Sequence, residues 1–215
     1  MNIYIGTVYL TPARKLSTDS VQNLLALMGT GTSAILDLAK FPAAQELGAR
    51  CHEFLDEVKD LTPGQDLERR LNADYGPENR YYEDFCAYVR KGLSEGWVAE
   101  TELDGPKYRR GRLAVPTAAS RYMSITTVYM ESGEMYSGQY HAHPYGEINC
   151  IVPFDHETAE LKGMEGWHRT GWTCLGQGTH HYPQVRNGRL VALFFLPAGR
   201  ISYNATPDRA QPAVV

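Results

Sequence analysis

The second half of the chain consists of short apolar and β-branched runs separated by Gly, Pro, Asn and Asp, and this pattern constrains the fold most. Such runs begin near Leu103 and are typical of an antiparallel sandwich or barrel. The clearest runs cover residues 122–130, 135–143, 148–152 and 190–196. Ser132-Gly133 and Asn187-Gly188 lie between runs. We expect both dipeptides to form hairpin turns, because Gly and Asn tolerate positive φ.

The first hundred residues have the apolar spacing of amphipathic helices instead. One helix is expected to begin after the polar cluster 17–20, and a second near Pro42. A third is expected around residues 67–71, and a fourth over 82–89 that ends at Gly92. The apolar stripes of these helices need a partner surface, so we expect them to cover a barrel or to form the interface of a homo-oligomer such as a dimer.

The two patterns together predict an α+β protein. We expect a helical N-terminal region over residues 1–100, packed on an antiparallel β-barrel domain over residues 101–215.

Composition excludes several classes of partner. The formal net charge is −4 with scattered Lys and Arg, which argues against nucleic acid as a partner. The longest apolar runs are strand-sized, so no membrane span is expected. The N-terminus has no basic residues before its apolar stretch, so we expect a cytoplasmic protein without a secretory signal.

The four cysteines form no C-x-x-C pair, which favours buried thiols over a zinc knuckle.

Histidines are concentrated in the segment that begins at His141. Residues i and i+2 of a strand share a face, so His141 and His143 can point into one barrel. The bend Pro144-Tyr145-Gly146 can then bring Glu147 beside them. Further along, a glycine-rich turn leads to His180 and His181, of which only one can point inward from a regular strand.

These side chains predict a shared pocket with a divalent metal, because two imidazoles with a carboxylate suit Fe, Mn, Ni or Zn. The predicted ligands are His141, His143, Glu147 and His181. A metal-free acid/base site built from the same side chains is the alternative. We interpret His52, His156 and His168 as structural or solvated residues.

Three tyrosines lie close to these histidines. Tyr145 lies within the bend between the candidate ligands, where its phenol can donate a proton to a substrate. Tyr140 and Tyr182 are weaker candidates for substrate binding, because strand alternation turns them away from a pocket that His141 and His181 face.

The motif H-x-H-x-x-x-E and a later G-x-x-H, within residues 138–187, resemble the two metal-site motifs of the cupin superfamily. The resemblance implies a cupin-like barrel, the double-stranded β-helix, for residues 101–215. The match is incomplete: Met135, Gly176 and Val185 stand where those motifs have Gly, Pro and Asn. These departures weaken the implied metal site more than the implied fold.

Longer phrases within residues 138–203 resemble the bacterial 4-hydroxylaminobenzoate lyase family. They are YHAHPYGEIN, ELKGMEGWHRTGWT, GTHHYPQV and ALFFLPAGRISY. The resemblance implies conversion of 4-hydroxylaminobenzoate to 3,4-dihydroxybenzoate (protocatechuate) with release of ammonia, a step in the degradation of nitroaromatic acids. In that chemistry, His181 or Tyr145 protonates the departing hydroxyl, while Glu147 or a metal-held water directs oxygen onto the ring.

A small aromatic carboxylate as substrate also requires a cation, preferably Arg, whose fork matches two oxygens. Arg121 and Arg200 are the candidates, since each lies at the end of a strand-like run.

Other functions use the same residues. A metal-dependent cupin dioxygenase, or another cupin lyase acting on a small organic acid or a sulfonium compound, is the enzymatic alternative. A non-catalytic small-molecule-binding cupin is the alternative of another class, since a fold does not determine activity. The clustered titratable groups favour an enzyme.

Overall fold

The computed structural model describes residues 34–154 and 158–207. The helix predicted after residues 17–20 and His156 lie outside this part of the chain. A short 3-10 helix, Leu38–Lys40, comes first, and three α-helices follow: α1 (Pro42–Glu57), α2 (Gln65–Asp74) and α3 (Arg80–Glu95). None of the helices in the described ranges is long and apolar enough to cross a membrane.

Local chemistry sets the ends of α3. The Asn79 side chain caps its start by accepting a hydrogen bond from the Tyr81 amide at 2.8 Å. Gly96, at φ 82°, ends it in the left-handed conformation. The prediction that Gly92 ends this helix is wrong, because Gly92 lies within α3. A Cβ there would lie 2.4 Å from the Trp97 ring, so Gly92 allows close packing and does not stop the helix.

Ten strands follow the helices in the described residues. They are β1 (Thr101–Glu102), β2 (Tyr108–Ala114), β3 (Met123–Ser137), β4 (His141–His143), β5 (Glu147–Pro153), β6 (Glu160–Lys162), β7 (Trp167–His168), β8 (Gly171–Leu175), β9 (Thr179–His181) and β10 (Gln184–Pro197). Eight of them form one antiparallel sheet in the order β1-β2-β3-β10-β5-β8, with β6 beside β10 and β7 beside β6. Strands β4 and β9 form a separate antiparallel ladder.

The predicted α+β class with antiparallel strands is confirmed. Within the described residues, however, the strand ladders do not join into a complete ring, because β4 and β9 pair with no other strand and Ala142 of β4 forms only an isolated bridge to Ser202.

Both predicted hairpin turns are wrong. β3 continues through Ser132-Gly133, and β10 continues through Asn187-Gly188. The pairing register of these two strands shifts between Arg186 and Gly188. Between these pairs, Asn187 of β10 lies opposite two residues of β3, Gly133 and Glu134, so the bulge is in β3. Asn187, at φ 59°, and Gly188, at φ 148°, lie opposite this bulge inside a continuous strand.

The two faces of the large sheet bury different surfaces, as the alternation along β10 shows. Val191, Leu193 and Phe195 belong to the core that the sheet shares with the three helices. Leu190 and Ala192 belong to a second apolar cluster. The helices therefore cover one face of the sheet and leave the other face to line a cavity.

All four cysteines are buried and free, as predicted.

The aromatic packing of α1 on the sheet gives a stability prediction. Phe54 is fully buried, and its ring stacks on Trp172 at 5.0 Å and contacts Phe85 and Phe195. We expect Phe54→Ala to lower the free energy of unfolding by about 3–5 kcal/mol, because it leaves a cavity among large rings. The melting temperature, followed by circular dichroism, should fall by roughly 10 °C.

Met164→Ala is the matched control, because Met164 is 49% exposed and should change the melting temperature little. An equal shift for Phe54→Ala and Met164→Ala would contradict this packing of α1.

Candidate active site

Three histidines converge because of the register between β4 and β9. His141 is paired directly with His181, so their side chains share a face, and His143 follows two residues along β4 on that face. The ring centroids are 4.7 Å apart for His141 and His143, 5.0 Å for His141 and His181, and 5.1 Å for His143 and His181. The three imidazoles thus form a nearly equilateral cluster.

Two glycines hold the turns beside this cluster. The amides of Gly146 and Gly178 both donate to the carbonyl of His143, at 3.1 and 2.9 Å. Gly146 has φ 83°, and a Cβ there would lie 2.6 Å from the Leu175 carbonyl oxygen. A larger residue would therefore displace the turn that connects His143 to Glu147.

The imidazole nitrogens fit a divalent metal ion. The Nε2 atoms of His143 and His181 are 3.1 Å apart, as expected for two nitrogens that each lie about 2.0–2.1 Å from one ion. His141 Nδ1 lies 2.8 Å from the carbonyl oxygen of Gln139, which leaves Nε2 available as a ligand. Such a backbone partner is typical of histidines that bind metals. The candidate ligand atoms of all three histidines lie within 4.8 Å of one another.

Burial sets the charge of these imidazoles. It lowers the pKa of His141 to about 4 and those of His143 and His181 to about 3. The three rings are therefore neutral at neutral pH, which is the form that binds a metal ion.

Glu147 lies beside the cluster at the start of β5. Its side chain is buried, with Oε2 3.5 Å from His143 Nδ1, and Oε1 accepts a hydrogen bond from Asn149 at 2.8 Å. Asn149 also donates to Thr173 at 3.2 Å. These contacts fix the carboxylate in one orientation next to the imidazoles.

A pocket opens beside the cluster, and its empty space is about 550 Å³ when the part open to solvent is included. Its charged lining residues are Glu147, Arg110 and Lys162, and its phenols are Tyr108 and Tyr203. The remaining wall is mostly apolar, and its polar members are His141, Asn149 and His181. Such a lining suits a flat apolar molecule with polar groups at its edges.

Comparisons with known proteins agree over this region. The family model of 4-hydroxylaminobenzoate lyase matches residues 49–203. A 4-hydroxylaminobenzoate lyase of Nocardioides sp. (strain LMS-CY) is 54% identical over 154 residues, covering 72% of this chain and 90% of the relative. A 4-hydroxylaminobenzoate lyase of Pseudomonas putida is 48% identical over 167 residues, covering 74% of this chain and 94% of the relative. The chain belongs to the 4-hydroxylaminobenzoate lyase family.

This membership confirms the predicted enzyme class, a lyase. Among solved structures, a cupin 2 domain-containing protein from Halorhodospira halophila is 16% identical, covering 52% of this chain and 74% of that chain at a TM-score of 0.32. This overlap is loose, and the family assignment does not depend on it.

The tyrosines predicted to serve the site lie outside the wall of the lyase cavity. Tyr145 lies on the turn between β4 and β5 and is 40% exposed. The Tyr140 hydroxyl contacts His180 Nδ1, and its ring packs on Tyr182 with centroids 4.7 Å apart. The opposite face of the β4–β9 ladder therefore carries Tyr140, His180 and Tyr182, because His180 and His181 alternate along β9.

The two predicted arginines are also absent from the cavity wall of the lyase. Arg121 donates to Asp56 at 2.7 Å, and Arg200 is exposed. Sequence reasoning missed Arg110, although the alternation along β2 places Tyr108 and Arg110 on one face. The same i and i+2 spacing links Glu147 to Asn149, which was also missed.

Proposed function

We propose that this chain converts 4-hydroxylaminobenzoate to 3,4-dihydroxybenzoate and ammonia. The observation that carries the proposal is the cluster of three imidazoles with Glu147 beside it. Two of these imidazoles, His141 and His181, line a cavity together with Glu147 and Arg110. Both curated relatives bear the name of this lyase. The overall reaction consumes one water and needs no oxidant, because the N–O bond of the substrate accepts the electrons.

The bond changes balance in three steps. The N–O bond breaks as the hydroxyl leaves as water after protonation. A water oxygen then bonds to the ring carbon next to the carbon that carries nitrogen, and that water loses a proton. Finally, a second water hydrolyses the resulting C=N bond to a C=O bond and releases ammonia. The proton on the ring carbon that carries the new hydroxyl then leaves, and the carbonyl oxygen gains a proton, which gives the second phenol and restores the aromatic system.

Glu147 is the residue that we assign to proton transfer from the attacking water. It is buried and lines the cavity, and the Asn149 hydrogen bond holds its carboxylate in position. His181 and Tyr145 are the predicted acids for the departing hydroxyl. His181 lines the cavity, but its imidazole is neutral at neutral pH and is a candidate metal ligand, so we do not assign this proton transfer to it.

The proposal includes a divalent ion of Fe, Mn, Ni or Zn held by the three clustered histidines, with Glu147 beside them. When bound, such an ion supplies Lewis acidity toward an oxygen of substrate or water. A chelator removes the ion, and each of the four metals is then added back in turn. The metal that restores ammonia release tests this part of the proposal and identifies the ion.

An assay in a sealed anaerobic vessel tests the reaction. We expect ammonia and 3,4-dihydroxybenzoate in equal amounts from 4-hydroxylaminobenzoate, at the same rate with and without O2, because the balanced reaction uses only water. Product that forms only in the presence of O2 would instead support a dioxygenase. Tight binding of the substrate, without turnover whichever metal is added, would instead support the non-catalytic binding protein.

A further inference from the structure

The cavity wall has a cation, Arg110, on a different strand from Glu147. Arg110 lies on β2 and Glu147 on β5, and strands β3 and β10 separate them in the sheet order. Both side chains nevertheless line the same cavity. The guanidinium and the carboxylate therefore reach a bound molecule from different sides.

Arg110 is held in the wall by a residue from the chain after β10. Burial raises the pKa of the Tyr203 phenol, and the charge of Arg110 and its hydrogen bond to the phenol oppose this rise. Ser202, the preceding residue, exchanges two backbone hydrogen bonds with Ala142 of β4, at 2.8 and 2.9 Å. The Tyr203 ring in turn packs on His141, with centroids 5.5 Å apart. This chain of contacts connects the guanidinium to the imidazole cluster.

The wall between the two polar groups fits an aromatic ring. Its apolar side chains come from β3, β10 and their neighbours and include Val128, Met130, Ala192 and Phe194. A benzene ring can lie against them while polar substituents at its two ends reach Arg110 and the imidazole cluster.

The second cation of the cavity wall and the two arginines predicted from the sequence suit a carboxylate less well. Lys162 also lines the cavity, but its ammonium lies 5.4 Å from the centroid of the Trp167 ring and presents no planar fork. Arg121 is paired with Asp56, and neither Arg121 nor Arg200 lines the cavity.

We propose that Arg110, together with the Tyr203 hydroxyl, binds the substrate carboxylate and makes the site selective for aromatic acids whose carboxylate lies opposite the reacting nitrogen. The inference rests on the proposed function and adds the group that recognises the acid. The guanidinium offers two parallel N–H donors to the two carboxylate oxygens, which a neutral ester cannot match.

Steady-state kinetics with 4-hydroxylaminobenzoate and its methyl ester test the proposal. We expect Arg110→Gln to lower kcat/KM for the acid by about 100-fold, mostly through KM, and to leave the ester nearly unchanged, because only the acid loses a charged bidentate contact. Arg110→Lys keeps the charge without the fork and should retain an intermediate preference for the acid.

Arg121→Gln and Arg200→Gln are the controls, and both should leave the preference for the acid unchanged. Calorimetric binding of 4-hydroxybenzoate and its methyl ester gives a readout that needs no turnover. Loss of acid binding in Arg110→Gln supports the subsite even if the wild type fails to turn over 4-hydroxylaminobenzoate, which would reject the proposed function alone. Equal losses for acid and ester, or a loss of preference in Arg200→Gln, would overturn the subsite.

Discussion

Replacing His143 with alanine is expected to remove both the bound metal and the lyase activity. His143 is fully buried, and its Nε2 lies 3.1 Å from that of His181, so no other side chain can take its place without moving the β4–β9 ladder. We expect activity to fall by ~10³-fold or more, because the proposed metal ion and the chemistry that it would supply are lost together. Elemental analysis of protein purified without an affinity tag measures the metal, and ammonia release measures the activity.

His180→Ala is the matched control, since His180 precedes His181 on β9 and its side chain contacts Tyr140 on the opposite face. It should keep the metal and the activity. Full metal content together with full activity in His143→Ala would show that the cluster is not the catalytic centre. Loss of activity with full metal content would assign His143 a role other than ligand.

Replacing Glu147 with glutamine should lower kcat by roughly 10²–10⁴-fold with little change in KM. Glutamine has nearly the same shape but cannot accept a proton, so the loss isolates proton transfer from packing. Steady-state kinetics over a range of substrate concentrations separate the two constants.

Glu160→Gln is the control, because Glu160 is a second buried carboxylate, paired with Arg186 at 2.7 Å and with Arg169 at 3.4 Å, and is not part of the cavity wall. Its kcat should stay at the wild-type value. An unchanged kcat in Glu147→Gln would assign the proton transfer to another group.

Local rules were sufficient to anticipate the histidine cluster. Strand alternation places His141 and His143 on one face, and it allows only one of His180 and His181 to join them. The glycine in the turn before Glu147 marked a sharp bend. Each of these inferences depends only on residues that are neighbours in the sequence and on the geometry of a strand. The structure therefore has the same face for these histidines and the same bend as the sequence predicts.

Features that depend on distant pairing could not be anticipated in the same way. Asn187-Gly188 has the composition of a hairpin turn, but it lies inside β10 because β3 continues opposite it and contains the bulge. Likewise, the choice among Arg110, Arg121 and Arg200 depends on which strands border the cavity. That arrangement follows from sheet order, which spacing along one segment does not determine.

The hydrogen bonds between Ala142 and Ser202 carry a consequence for synthesis of the protein. They bring residues 201–203 against β4, and Ile201 and Tyr203 complete the wall beside His141. A nascent chain that has released β2, β4 and β9 from the ribosome therefore still lacks one side of its cavity. The wall of the cavity is therefore complete only after residue 203 has left the ribosome.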